Sequence, residues 1–410
     1  MKRAYEPLLR DYLATFPCVA ILGVRQCGKT TLLRTLPKGW KLLDLERRAD
    51  HAVISRDPDA FFRLNPRHVA LDEAQILPEL FPALRVAIDD RRAEKGRFVI
   101  TGSSSPELVR SVSESLAGRV GIIEMAPFSW EEVTGTTGRD SLLRRLAEDR
   151  KARPAALIDG LKPRGTPAKV QDFWSRGGFP EPWLDPKPAF RARWVEQYIQ
   201  TYLLRDVKRL FPGLDEIRFR RFLEMLGGLS GRILNYAELA RALGVSQPTA
   251  RDYVEIAHGT FVWRAIPAYS KNVVKRVVKH PRGYLRDSGL LHALLRIPDS
   301  DALLSHPQAG ASWEGMVVEE VLRQLSSIGE SVQASYYRTG GGAEVDLVLE
   351  GAFGGIGIEI KHTSVVAPRD LRGLRDLVTE QKLRVGIVIN NDAIPRQYDD
   401  KLIGVPFARL

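Results

Sequence analysis

Three groups of residues in this 410-residue chain have the types and spacing to do chemistry. The first is Gly23-x-x-x-x-Gly28-Lys29-Thr30-Thr31, set between the apolar run Cys18 to Leu22 and the helical Leu-Leu-Arg that follows. Its glycines let backbone N–H groups turn inward around phosphate oxygens, Lys29 has the reach for the β and γ oxygens, and Thr30 offers a hydroxyl to Mg²⁺. The second is His68-Val-Ala-Leu-Asp72-Glu73, a short apolar strand ending in two acids. Downstream of a phosphate loop, Asp72 is suited to hold Mg²⁺ directly or through water, and Glu73 to polarise an attacking water. The next apolar run, from Phe98, ends in hydroxyls, of which Ser103 is the first choice for sensing the γ-phosphate.

The third group lies near the end of the sequence. Asp346 sits on one strand-like run, and Gly357-Ile-Glu359-Ile-Lys361 forms the next. Strand side chains repeat every two residues, so Glu359 and Lys361 share a face that Asp346 can approach. Two carboxylates can hold a hard cation, and a lysine can position or activate water. This is the D…ExK arrangement of restriction-endonuclease-like folds. Glu314, on an amphipathic helix just upstream, is placed where that fold often carries a further acid, and Arg338 and His362 are candidate phosphate contacts. Cleavage is a separate question from the fold.

The middle of the chain has helix-turn-helix grammar. Asn235 to Leu243 reads as a helix, Gly244 as its turn, and Ser246 as the N-cap of a second helix with Pro248 in its first turn. The second helix is expected to turn Val245, Ala250, Tyr253 and Val254 inward and to expose Gln247, Thr249, Arg251 and Asp252 to phosphates or base edges. A strand, a basic turn carrying Lys271, Lys275, Arg276 and Lys279, and another strand then complete a winged helix. Such units also serve as packing modules. Residues 151–300 hold 26 Lys plus Arg against 14 Asp plus Glu, a balance of +12, while the chain as a whole carries +11. Positive charge concentrated in this way favours a polyanion, because each neutralised phosphate releases counterions.

The elements that must position these groups fall into modules. Residues 1–133 alternate short apolar strands with helices, a parallel-sheet rhythm. Residues 134–170 are polar, basic and rich in Gly and Pro, as expected of a linker or insertion. Residues 171–295 are mainly helical, and 305–410 mix helix and strand. With 44% apolar residues, core material is ample. The longest uncharged apolar run is too short to cross a bilayer and no signal-type core follows the amino terminus, so a cytoplasmic protein without membrane contact is expected. Cys18 and Cys27, the two cysteines, suggest neither a zinc site nor a disulfide framework. Cys27, inside the loop, is either a tolerated small residue or a redox switch.

Gly-Val-Arg25-Gln26 in the loop, Asp72-Glu73-Ala-Gln75, Thr-Gly-Ser-Ser-Ser, Leu116-Ala-Gly118-Arg119 and Ala126-Pro-Phe-Ser-Trp-Glu131-Glu, taken in order, resemble the AAA-type ATPase domain that bacterial and archaeal proteins pair with a DUF4143 carboxy-terminal region. Arg176-Gly-Gly-Phe-Pro resembles the opening of that region. The resemblance covers nearly the whole chain and implies ATP rather than GTP, with Mg²⁺, held by Gly23, Arg25, Gln26, Gly28, Lys29, Thr30 and Thr31. It also implies that Arg119 is similar to an arginine near the γ-phosphate, in its own chain or across an interface of a homo-oligomer, the alternative being a surface salt bridge. The fold expected is an α/β P-loop domain of AAA type, then a helical winged-helix module, then a restriction-endonuclease-like α/β domain. The favoured function is ATP hydrolysis coupled to nucleic acid, DNA foremost. The alternative is a signal-transducing ATPase whose carboxy-terminal parts bind a protein partner. A metabolic kinase fits poorly with three modules and a basic centre.

Overall fold

The computed structural model describes residues 1–103, 115–185, 187–211, 213–270, 280–339 and 343–410. Lys271, Lys275, Arg276 and Lys279 lie outside the described residues. The chain divides into two compact units, one of Lys2–Phe128 with Gly259–Phe261, the other of Ser129–His258 with Val262–Leu410 and Met1.

The first unit is built on a five-stranded sheet of β1 (Cys18–Gly23), β2 (Lys41–Asp44), β3 (Val69–Asp72), β4 (Phe98–Ser103) and β5 (Val120–Glu124), in the order β2-β3-β4-β1-β5. Every pairing is parallel. Such a sheet is covered on both faces, so its central strands are apolar throughout rather than alternating. All six residues of β1 and all four of β3 are buried accordingly. The carboxyl ends of β1, β3 and β4 come to one edge, where Gly23 pairs with Ser103. That edge collects the phosphate loop and both acids.

In the second unit, β6 (Arg232–Ile233), β7 (Trp263–Ile266) and β8 (Arg282–Leu285) form an antiparallel sheet in the order β6-β8-β7. Helices Glu216–Leu229, Tyr236–Leu243 and Gln247–Gly259 precede or interrupt it. A six-stranded mixed sheet follows, formed by β9 (Val332–Arg338), β10 (Glu344–Gly351), β11 (Gly354–Ile360), β12 (Val385–Asn390), β13 (Arg396–Gln397) and β14 (Leu402–Pro406), in the order β13-β14-β12-β11-β10-β9. Helix Ala309–Ser327 precedes this sheet and Arg372–Glu380 connects β11 to β12. An isolated bridge from Ala268 to Tyr336 links the strand region after β7 to β9.

The segment 134–170 is not a free linker. It forms helices Leu142–Glu148 and Pro154–Ile158, and Leu142, Leu143, Leu146, Leu157 and Leu161 are buried. The Arg164 N–H donates to Ala408 at 2.7 Å, and Arg384 donates to Asp149 at 2.7 Å. The polar surface of these short helices conceals leucines spaced to bury one face. A further departure is the π-helical stretch Ile199–Asp206, for which the sequence shows no signal.

One buried polar chain in this unit gives a pH prediction. Trp174 Nε1 donates to Ser312 Oγ at 3.0 Å, Ser312 Oγ lies 2.7 Å from His292 Nε2, and His292 Nδ1 lies 3.1 Å from the Ser175 carbonyl. The carbonyl can only accept, so Nδ1 carries the ring proton and Nε2 accepts from Ser312. Burial pushes His292 down from 6.5 to about 4. An unfolded chain therefore takes up a proton below pH 6.5 that the folded one refuses, so the stability present above that pH falls as pH drops towards 4, by roughly 3 kcal/mol. Urea denaturation from pH 7 to pH 4 should show the gap between wild type and His292→Asn narrowing with acid. A gap independent of pH would show that His292 is not the group responsible.

Candidate functional site

At the edge formed by β1, β3 and β4 the chain turns sharply into helix Lys29–Leu33, with Gly28 at φ 97° and Gln26 at φ 66°. A β-carbon on Gly23 would lie 2.1 Å from the Met125 carbonyl oxygen, so the first glycine is required by backbone packing as well as by phosphate approach. Lys29 is buried, and its Nζ donates to the carbonyls of Gly23 and Val24, each at 3.0 Å. The lysine is thus folded back on the loop it would open for an anion. Thr30 Oγ1 donates to Asp72 Oδ2 at 2.6 Å, which puts two hard oxygen donors side by side, the set a magnesium ion takes. Arg25 pairs with Glu46 at 3.5 Å, and Thr31 is exposed on the first helical turn.

Glu73 follows β3 with φ 56° and ψ 49°, the left-handed region that a non-glycine residue enters at a cost of order 1–3 kcal/mol. Its own N–H donates to Thr101 Oγ1 at 3.2 Å. The carboxylate accepts from Ser103 Oγ at 2.8 Å, from the Ser103 N–H at 3.2 Å and from Gln75 Nε2. Burial pushes Glu73 up, but the nearby Lys29 charge and the bonds from Gln75 and Ser103 outweigh it and hold the group below its ordinary 4.5. An ionised carboxylate beside a lysine and a Thr–Asp oxygen pair has the chemistry to orient water against a phosphate.

The structure brings together Gly23, Gly28, Lys29, Thr30, Asp72, Glu73 and Ser103, but it does not bring Arg119. Val120 pairs with Cys18, so Arg119 lies at the amino-terminal edge of the sheet, opposite the loop. Five residues of strand, at about 3.3 Å each, separate the two edges. Its guanidinium grips Asp89 with two bonds of 2.7 and 2.8 Å, the salt-bridge alternative, and it is no contact for a nucleotide on its own loop. Cys27 is fully buried with Sγ 3.5 Å from the Met125 carbonyl, which favours the tolerated-residue reading over an accessible thiol. Thr101 and Arg3 carry no signal singled out in the sequence, and Gln75 enters there only as part of a motif, without its role on Glu73. Thr101 donates to Asp72 from the strand face it shares with Ser103, a period-two signal that was available. Arg3 donates to Cys27 and to Ala126, the latter at 2.8 Å, and so braces the loop from a position with no motif to mark it.

The D…ExK residues also assemble. A register shift between Val345 and Val348 turns β10 locally at Asp346. Asp346 Oδ2 accepts the Ile360 N–H at 2.8 Å, and Lys361 Nζ donates to Glu359 at 2.7 Å. Burial, then the Asp346 charge, pushes both Glu314 and Glu359 above the ordinary carboxylate range. An unforeseen residue, Arg282 at the start of β8, lies among them: its Nη1 is 3.1 Å from Glu314 and 3.3 Å from Asp346, and its Nη2 contacts Glu344. His362 packs on Trp174 and Trp313, with ring centres 4.7 and 4.9 Å away, and burial lowers its pKa. Burial thus disfavours the charged form of this imidazole, which stacks on two indole rings. Arg338 is exposed at the end of β9.

On helix Gln247–Gly259 the burial follows the expected faces except at Val245 and Thr249. Ala250, Tyr253 and Val254 are buried, Gln247, Arg251 and Asp252 are exposed, and Val245 and Thr249 are half-buried. Ser246 Oγ accepts the Thr249 N–H at 3.2 Å as N-cap. Arg251 lies over the Tyr236 ring at 5.1 Å.

The family model described as AAA domain matches residues 15–134, a domain of unknown function (DUF8612) matches 167–301, and a domain of unknown function (DUF4143) matches 309–410. Arg176-Gly-Gly-Phe-Pro therefore falls in the middle region, ahead of the DUF4143 match. Two mycobacterial proteins, the uncharacterized protein Rv2008c of Mycobacterium tuberculosis and the uncharacterized protein Mb2031c of Mycobacterium bovis, are each 36% identical over 383 residues, which cover 93% of this chain and 78% of theirs. Among solved structures, the Walker-type ATPase paby2304 of Pyrococcus abyssi aligns at 16% identity with a TM-score of 0.42, over 72% of this chain and 95% of that one. This chain belongs to the family of proteins that join an AAA-type P-loop ATPase domain to a DUF4143 region.

Proposed function

We propose that the chain is an ATP-hydrolysing switch whose nucleotide state governs a DNA contact made by the unit of residues 129–410. The observation that carries the ATP part is the 2.6 Å contact of Thr30 with Asp72 beside an ionised Glu73. Thr30 and Asp72 are the residues to hold the Mg²⁺ that accompanies ATP, which there neutralises phosphate charge. Lys29 exchanges its loop carbonyls for phosphate oxygens, and Glu73 orients water. Ser103 and Gln75 hold the Glu73 carboxylate, so one of these bonds must be given up when water takes its place.

The DNA part draws on the +12 balance of residues 151–300, on the exposed Gln247 and Arg251 beside Asp252, and on an element order of helix, strand, two helices and two strands that suits a winged helix. A second reading, a switch that grips a protein partner and cleaves nothing, is favoured by the guanidinium of Arg282 among the carboxylates of the D…ExK set.

Steady-state ATP hydrolysis by wild type and Lys29→Ala, with and without duplex DNA at two salt concentrations, separates these readings. Turnover that requires Lys29 and rises with DNA, more at low salt, is the expected result. Lys29-dependent turnover indifferent to nucleic acid would leave the partner reading. Turnover unaffected by Lys29→Ala would remove both.

A further inference from the structure

A divalent cation in a D…ExK site needs carboxylate oxygens at about 2.0–2.6 Å from one central point. The centre of this cluster already holds a charge. Arg282, 5% exposed, reaches Glu314 at 3.1 Å and Asp346 at 3.3 Å with the same nitrogen and contacts Glu344 with another. The Tyr336 ring lies 5.1 Å from its guanidinium carbon, and the Tyr284 hydroxyl occupies Glu314 at 2.5 Å. Arginine stays charged at any accessible pH, and its planar fork is suited to bind several carboxylates at once. Glu359 gives one oxygen to Lys361, while its other, Oε2, is buried with no hydrogen-bond partner. Among the described residues no group of three or more His, Cys, Asp and Glu is arranged to hold a metal ion.

We infer that Arg282 is the built-in cation of this cluster, standing where a D…ExK site would take its metal, so that the folded protein keeps the set closed to divalent ions. The inference rests on the nuclease-like reading of residues 305–410. The three carboxylates bind the guanidinium, and Lys361 is held by Glu359 rather than facing a metal-bound water. The unpartnered Glu359 oxygen marks the ligand position that the arrangement leaves unused. The metal site is therefore latent: its acids are present, and one side chain from β8 blocks it.

The test is Mn²⁺ binding followed by electron paramagnetic resonance on the nucleotide-free 410-residue chain. Wild type should take up no more Mn²⁺ than Asp346→Asn, a comparison that cancels any ion held at the phosphate loop. Arg282→Met should gain about one equivalent, bound at least tenfold more tightly, and lose it again when combined with Asp346→Asn. Mn²⁺ uptake by wild type that Asp346→Asn abolishes would overturn the inference, as would a folded Arg282→Met that gains nothing. Near-ultraviolet circular dichroism reports whether Arg282→Met has folded; if it has not, the comparison of wild type with Asp346→Asn decides alone. ATP turnover and its response to DNA are measured separately, so failure of the proposed function and failure of this inference are distinguishable.

Discussion

Glu73→Gln is expected to keep ATP binding within a few fold of wild type while lowering turnover by roughly 10²–10⁴-fold, the range for loss of a positioned general base. The reason is local. Gln is isosteric, it can still accept from Ser103, and it leaves the Thr30–Asp72 pair and Lys29 untouched. What it lacks is the negative charge that orients and polarises water. The charge is present at neutral pH because Lys29 and the bonds from Gln75 and Ser103 outweigh burial and hold Glu73 below 4.5. The acid limb of wild-type kcat/KM due to this group, which reports the nucleotide-free protein, should therefore fall below 4.5. Binding of a fluorescent ATP analogue together with single-turnover hydrolysis separates the two effects. Turnover within tenfold of wild type would show that Glu73 is not the water-orienting group, and a parallel loss of binding would point to a collapsed loop.

The legible parts of this molecule are those in which chemistry dictates both residue type and spacing. A phosphate loop needs glycine at Gly23 and Gly28, cation and hydroxyl next to each other, and acids at the end of a nearby strand, so its geometry follows once the strands are found. The buried face of helix Gln247–Gly259 is equally readable, because Ala250, Tyr253 and Val254 repeat at helical spacing. The short motif at Arg119 carries no information on which end of a strand it occupies; parallel pairing with β1 places it away from the loop of its own chain. Residues 134–170 look like a linker because Gly, Pro and charge dominate the sequence, although a handful of leucines determines the packing. Arg282 was invisible for another reason. Its partners lie 32 to 64 residues away, and only the antiparallel sheet of β6, β7 and β8 delivers it to the carboxylates.

The motif Arg176-Gly177-Gly178 marks a structural requirement, and replacing its partner Asp287 with Ala is expected to destabilise the 129–410 unit by about 3–5 kcal/mol. Asp287 is buried, and its carboxylate accepts the Gly178 N–H at 2.8 Å and the Leu290 N–H at 2.9 Å, with Gly289 also donating to it. It caps helix Ser288–Leu294 and fastens the chain leaving helix Pro167–Arg176. Truncation leaves those amides buried without partners, each at about 1–3 kcal/mol. Gly177 has φ 72°, and a β-carbon there would lie 2.3 Å from Asp287 Oδ1. Gly177→Ala therefore suffers both backbone strain and a collision with the carboxylate, and its cost should approach that of Asp287→Ala. The two changes should not add. Once the carboxylate is gone the collision is relieved, so the double variant should be more stable than the sum of the singles by at least about 1 kcal/mol, as contacting residues allow. Six of the seven tryptophans, all but Trp40, lie in this unit, so urea denaturation read by their fluorescence follows the relevant transition. Additivity would show that Gly177 is glycine for its backbone angle alone, and a loss under 1 kcal/mol for Asp287→Ala would show that the amides find other partners.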